Sequence, residues 1–309
     1  MRRNRFSLSV TALAVVLVSA TSCGLGDKQH RADAIIDAVD ATIAAGAANG
    51  VLTVGATILQ TPDIGRAAEA GNATGGRPPL GTLLAPPIAY QAALDFRTRR
   101  AVLSREEKTA EVFDGLNFYG RRVAATDRDA RPWLRLRLAD LEEGTGEIRV
   151  PEDFPTAVLN AINPIVLVDL AAGALAGSIK RGVTETTNGV RVTRFDANFD
   201  VEKTLEKTRR KAYPEEERKA IEASFALLTL KGEVNKGTVW LDDAGRLRGF
   251  ALELKVSRQR DLVFGVNLGL VISDFGKVAD VRVPPDAEVL EAASMVAFLR
   301  AVVPEMVAK

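Results

Sequence analysis

Cysteine and histidine are nearly absent: this chain of 309 residues holds one of each. The single cysteine, Cys23, excludes an intrachain disulfide. With His30 as the lone imidazole, no Cys/His set can hold zinc, and no metal is expected. His30 also lies in a polar stretch, where it reads as a solvated residue and a poor general base. Charge of either sign in excess is missing too, with 41 basic against 40 acidic residues. No polyanion partner is implied, and nucleic acid is not expected. There is no Gly-x-Ser-x-Gly, phosphate loop or dinucleotide fingerprint. Glu142-Glu143 and Glu215–Glu217 read as solvated acidic clusters. The basic runs Arg97–Arg100 and Arg209–Lys211 read as solvated faces, the other reading being contact with anionic head groups. These absences argue for a protein that is not an enzyme and carries no cofactor. No apolar run reaches the roughly 20 residues a membrane helix needs. The nearest, Ile162–Leu175, is interrupted by Asn163, Pro164 and Asp169.

What is present begins at the N-terminus. Arg2, Arg3 and Arg5 precede an apolar stretch from Leu8 to Val18, followed by the small residues Ser19, Ala20, Thr21 and Ser22. A positive start, a short apolar core and small residues describe a secretory signal. The only cysteine comes next. A lipobox has this form, with diacylglycerol added to the thiol before cleavage; Ala20 stands where leucine is commonest. The other reading is an ordinary signal with an incidental cysteine. Arg2-Arg3 also suggests a twin-arginine signal, although Phe6 is one place late for it. On the lipobox reading residues 1–22 are signal, 23–32 a tether and 33–309 a single domain. The mature chain has 287 residues; losing three arginines leaves 38 basic against 40 acidic. Two or three acyl chains on Cys23 would anchor it durably on the outer face of the membrane, at about 0.8 kcal/mol per buried CH₂.

Hydrophobic spacing then orders the chain. Ile35, Ile36, Val39 and Ile43 predict a helix that Gly46 can stop. Val51–Leu59 reads as a strand, and the Gly/Pro-rich residues 61–88 as a long loop. Strands are predicted at Tyr90–Phe96, Arg99–Leu103, Val112–Arg122 with a turn at Asp114-Gly115, and Trp133–Leu138, where Leu134, Leu136 and Leu138 share a face. Asn163 is the expected N-cap of a helix opening with Pro164, apolar all round and running to Ala176. Gly189–Phe199 reads as a strand, and Val201–Lys211 and Pro214–Leu228 as charged amphipathic helices. A β-meander follows: Gly237–Leu241, a turn at Asp243-Ala244-Gly245, Leu247–Val256 and Leu262–Ile272. In the last pair Phe250, Leu252, Leu254 and Val256 face the same way as Leu262, Phe264, Val266, Leu268, Leu270 and Ile272, giving one apolar side and one polar side. A final helix is predicted from Asp286 to Val303.

This series resembles the mycobacterial LppX/LprG-type lipoproteins, whose fold is similar to the LolA/LolB lipoprotein carriers. The residues carrying the resemblance are Arg131-Pro132-Trp133-Leu134-Arg135-Leu136, Asn163-Pro164 through Leu170, and Thr187-Asn188-Gly189-Val190-Arg191-Val192-Thr193 through Asp200. To these add Val239-Trp240-Leu241-Asp242-Asp243-Ala244-Gly245-Arg246-Leu247-Arg248, Ser273-Asp274-Phe275-Gly276 and Val283-Pro284-Pro285. The hairpin from Val239 to Arg248 is the most specific. Arg194 and Phe195 stand where members of the family often carry histidine and tyrosine. The resemblance implies an α+β fold: a strongly curved antiparallel half-barrel with helices packed on its concave face. It also implies a lipid carrier of the cell envelope, holding acyl chains of a lipid or glycolipid between sheet and helices. The expected lining is Leu134, Leu136, Val168, Phe250, Leu252, Leu254, Leu262, Phe264, Val266 and Leu268, although an apolar strand face under helices is more often plain core. The expected partners are the lipid, the membrane through Cys23 and an envelope transporter, with the protein a monomer. The alternative is a surface lipoprotein of the same fold with a filled core, acting as an interaction or regulatory module. Trp133 and Trp240 read as packing anchors before ligand contacts.

Overall fold

The computed structural model describes residues 25–60, 87–105, 108–126, 129–137, 163–200, 204, 214–216, 218–219, 234–259, 262–277, 281–293 and 295–302. The signal segment with Cys23, the predicted loop and most of the two charged amphipathic helices lie outside these residues. No described helix is long and apolar enough to cross a membrane.

Twelve strands form one sheet. In chain order they are β1 (Ala47–Gln60), β2 (Ile88–Asp95), β3 (Arg100–Arg105), β4 (Lys108–Phe113), β5 (Asn117–Arg121), β6 (Trp133–Arg137), β7 (Lys180–Thr187), β8 (Val190–Phe199), β9 (Asn235–Asp242), β10 (Leu247–Gln259), β11 (Leu262–Ser273) and β12 (Val289–Glu291). Their spatial order is β12-β6-β5-β4-β3-β2-β1-β11-β10-β9-β8-β7. Two antiparallel meanders are thus joined where β1 pairs with β11, from Asn49 opposite Ser273 to Gln60 opposite Val263. Only β12 runs parallel to its neighbour. Among the described residues the α-helices are α1 (Leu25–Ala44), α2 (Pro164–Ala171) and α3 (Met295–Val302).

Alternation along the strands assembles one apolar face. Tyr90, Leu52, Leu270, Phe250, Val239 and Phe195 stand opposite one another across six neighbouring strands. All six are buried. Each such side chain contributes roughly 1.5–3 kcal/mol on leaving water, so this face outweighs any surface ion pair. The helices cover it: α1 touches β9 and β10, and α3 touches β5 and β6. Helix α2 touches β2, β3 and β10. From β3 to β10 a flat sheet would measure about 19 Å at 4.8 Å per strand. Eight helical residues rise only about 12 Å. The sheet therefore curves around α2, and the architecture is the expected α+β half-barrel with helices on the concave side.

Helix α2 starts as its sequence dictates. Asn163 caps it, its Oδ1 accepting from the Ile165 amide at 3.0 Å, and Pro164 occupies the first turn. All eight residues are buried, which explains an apolar surface all round. The helix ends five residues before the expected Ala176. Ala174 is taken into a bridge with Phe199, and the Leu175 amide donates to the Asn198 carbonyl. At Gly173 a Cβ would stand 1.9 Å from the Thr204 Oγ1, so the chain passes there only as glycine.

Three further segments differ from the sequence reading. The polar stretch read as part of a tether is helical from Leu25, so α1 includes His30. The predicted helix over 286–303 is three elements: a 3-10 turn at Asp286–Glu288, strand β12, and α3. Val289 and Ala293 share helical spacing with Val296 and Leu299, but β-branched Val289 pairs with Trp133 and packs with Val112 and Tyr119. Arg135 bonds both Asp286 and Glu291 and so holds β12 on β6. Strand β7 was not expected. Its eight residues are all exposed, so it carries no apolar alternation, yet the Asn188-Gly189 turn after it has φ of 51° and 75° and is a hairpin signal.

Candidate functional site

The concave face is the site the sequence singled out. Its proposed lining divides into two groups. Phe250, Leu252 and Leu254 on β10 lie opposite Leu270, Leu268 and Val266 on β11, all buried. Val168 on α2 joins the same core. Leu134 and Leu136 lie on β6, with β5, β4, β3, β2 and β1 between them and β11. Leu136 is buried in this core, and Leu134 packs against it half-buried. Leu262 and Phe264 occupy the far end of β11, past a register shift between Lys255 and Ser257 of β10 that ends the simple alternation at Val256. Their side chains, like Cys23, lie outside the described residues. The β6 end is closed by rings: Phe113 stacks on Phe118 at 4.6 Å, and Phe118 meets Phe298 of α3 at 4.6 Å.

One acidic group belongs to this apolar face. Glu111 on β4 stands between Leu103 and Gly120 in the register, and only 1% of it is exposed. A Cβ on neighbouring Gly120 would meet Val302 and Phe298, so α3 presses close over this part of the sheet. Burial pushes the Glu111 carboxyl from 4.5 up to about 8, while a hydrogen bond with Tyr90 draws it partly back. Its Oε2 has no hydrogen-bond partner. The signal for it was in the sequence: strand alternation puts Glu111 on the same side as Phe113. A carboxyl amid apolar groups can accept or donate one directed bond where all other contacts are undirected.

A second polar feature reaches α2. Asp169, 2% exposed, accepts a 2.8 Å bond from Arg99 in the β2–β3 turn. The basic run Arg97–Arg100 is thus not wholly a solvated face: one guanidinium points inward and ties the central helix to the sheet. Arg99 holds a positive φ of 54°, which directs the chain for this reach.

The most specific motif has a structural task. Asp242 Oδ1 accepts from the amides of Ala244 and Arg246, closing the β9–β10 turn, while Oδ2 accepts from Arg246 Nε at 3.1 Å and Arg248 Nε at 2.8 Å. Both guanidiniums lie over Phe275, 4.6 and 4.7 Å from its centroid. The Trp240–Arg248 hairpin and the Ser273–Gly276 segment therefore form one clasp. Burial alone would raise the Asp242 carboxyl, but bonds from the Arg246 amide, Arg248 and Arg246 outweigh it and hold the carboxyl below its usual range. A depressed carboxyl stabilises the fold above its unfolded value and loses that contribution as pH falls through the folded one. Asp242→Ala should thus cost about 3 kcal/mol at neutral pH. Urea unfolding should show the deficit shrinking in acid; equal midpoints for variant and parent at pH 7 would remove this role.

Two clefts open beside strands β8–β11. One, of about 490 Å³, has Lys180, Asp196, Lys236 and Glu253 in its lining and reaches Leu252 and Leu268. The other, of about 330 Å³, has Trp240 in its wall. Trp240 is half-buried on the side opposite Phe250, donating to Glu185 at 2.9 Å; Trp133 packs into the small cluster around Val112. Among the described residues no group of His, Cys, Asp and Glu could hold a metal ion.

No family model matches the chain, and no curated protein matches it. Among solved structures it is similar to the lipoprotein LppX of Mycobacterium tuberculosis, at 12% identity over 82% of this chain and 99% of that one, with a TM-score of 0.40. It is also similar to LprF from Mycobacterium bovis, at 12% identity over 83% and 97%, with a TM-score of 0.38. A LolA superfamily protein from Nitrosomonas europaea matches at 8% identity over 82% and 94%, with a TM-score of 0.25.

Proposed function

We propose that the chain is an envelope lipoprotein that holds the acyl chains of a lipid or glycolipid against the concave face of its sheet and carries them within the envelope. Export, cleavage before Cys23 and lipidation of that cysteine would place it on the outer face of the membrane, within reach of the surface it loads from. The observation that carries the reading is the unbroken apolar row from Tyr90 to Phe195, curved around α2. A surface built of aliphatic and aromatic groups binds by area removed from water, which suits acyl tails of varied structure. The head group would stay outside with water. An envelope transporter is the expected acceptor or donor, and no enzymatic step is assigned.

The test is direct. Protein lacking residues 1–23, purified without detergent, should yield lipid on organic extraction and take up a fluorescent fatty-acid analogue after delipidation. The full chain should partition with membranes, and its Cys23→Ser variant should not. Protein that is ligand-free by native mass spectrometry and takes up no analogue would sink the carrier reading.

A second reading has its own observation. Phe250, Leu252, Leu254, Val266, Leu268, Leu136 and Val168 belong to one buried core cluster. A core at ordinary density throughout would make the chain a surface module that regulates or scaffolds an envelope partner. A continuous apolar void of several hundred Å³ would favour the carrier.

A further inference from the structure

We infer that the cleft beside Trp240 is a binding site for the ring of a neutral sugar. It opens on the side of the sheet away from the apolar row, so it stands independently of the lipid reading. Its volume, about 330 Å³, lies at the small end of the range for small-molecule sites.

The lining comes from three places: Trp240 on β9, Gly249 and Val271 on β10 and β11, and Glu185 and Asn188 on the β7–β8 hairpin. Trp240, Gly249 and Val271 stand opposite one another across the strands. Gly249 lets the indole lie close to the sheet, since a Cβ there would stand 3.1 Å from its Cε3. The indole N–H donates to Glu185 Oε1 at 2.9 Å, which ties the ring to the hairpin. Val271 is 39% exposed, one of few large apolar side chains left open to water. The hairpin thus turns a flat patch into a cleft with an aromatic wall.

The cation at the rim and one of its carboxylates already have charged partners. Arg248 bonds Asp242 at 2.8 Å and lies over Phe275. Asp274 pairs with Lys277 at 3.3 Å, and Glu185 accepts a hydrogen bond from the indole N–H and keeps its charge. No surplus of positive charge calls for an anion. What remains is an apolar wall, carboxylate oxygens with acceptor capacity and the amide of Asn188. A pyranose ring has the complementary surface: C–H groups for the indole and Val271, hydroxyls that donate to carboxylates and accept from an amide. An acyl chain would bury those polar groups without partners. An anion would face Glu185 and Asp274.

The experiment uses delipidated protein lacking residues 1–23 and three probes: maltose, lactose and a mannose disaccharide. Saturation-transfer NMR and calorimetry should find at least one bound, with Kd of about 1 mM. Trp240→Ala should weaken binding by tenfold or more. Asn188→Gly tolerates the turn's φ of 51° while removing the amide, and should weaken it several-fold with the melting temperature unchanged. The proposal is overturned if no sugar binds, if both variants bind as well as the parent, or if a structure shows the sugar elsewhere or a peptide or acyl chain in the cleft.

Discussion

Between pH 5 and pH 8 the folded chain should lose stability steadily, and Glu111→Gln should abolish most of that loss. Burial raises the Glu111 carboxyl from 4.5 to about 8. In this interval the folded state keeps a proton that the unfolded chain has released. Unfolding is therefore favoured as pH rises; the stabilising contribution is complete below the unfolded value and gone once pH passes the folded one. At about 1.4 kcal/mol per pH unit, the interval accounts for about 4 kcal/mol. The effect is large because a charged carboxylate here is 1% exposed and its Oε2 has no hydrogen-bond partner. Urea midpoints at pH 5, 6, 7 and 8 measure it. Glu111→Leu should be more stable than the parent at pH 8, where it removes the charge outright. A parent with a flat profile, or a Gln variant with the same decline, would refute the assignment.

Removing Arg99 should cost about 3–5 kcal/mol, because it withdraws a cation from a carboxylate buried to 2% exposure. Asp169 sits in a helix with no exposed residue, so it cannot turn to water without moving α2. The charge asymmetry provides the control. Arg99→Met alone leaves the buried charge; Arg99→Met with Asp169→Leu removes both and should recover most of the loss. A single variant within 1 kcal/mol of the parent, or a double variant no better than the single, would show that the pair does not hold α2 to the β2–β3 turn. Denaturant unfolding of the parent, Arg99→Met, Asp169→Leu and the double variant completes the cycle.

The parts of the fold that were legible in the sequence follow local rules. Strands β10 and β11 alternate clearly, and a turn whose Gly245 has φ 71° separates β9 from β10. Helix α2 announced its start through Asn163 and Pro164. The parts that were not legible depend on distant partners. Strand β12 exists because Trp133 and Arg135 lie beside it, 156 residues earlier for the Arg135–Glu291 pair. Strand β7 is exposed on both faces and has only its turn as a marker. The candidate lining was read as one set because all its members were apolar. Strand order divides it, and order cannot be read from β6, β10 or β11 in isolation. Glu111 stands one residue before the expected strand Val112–Arg122; the strand β4 begins at Lys108, and only with that start does its phase relative to Phe113 put it on the apolar face.

The pairing of β1 with β11 has a consequence in time. Asn49 waits for Ser273, so the two meanders remain separate until the chain has been synthesised as far as β11. Bringing together segments so far apart in sequence carries a loop-closure cost before any contact repays it, and folds rich in such contacts form slowly. On the export proposed above, the last seam would close after the leader had engaged its exit, and the chain would cross the membrane before it was locked. Moving β1 to the C-terminus by circular permutation would bring it near β11 in sequence but carry it far from β2, so the long-range seam would pass to the β1–β2 pair.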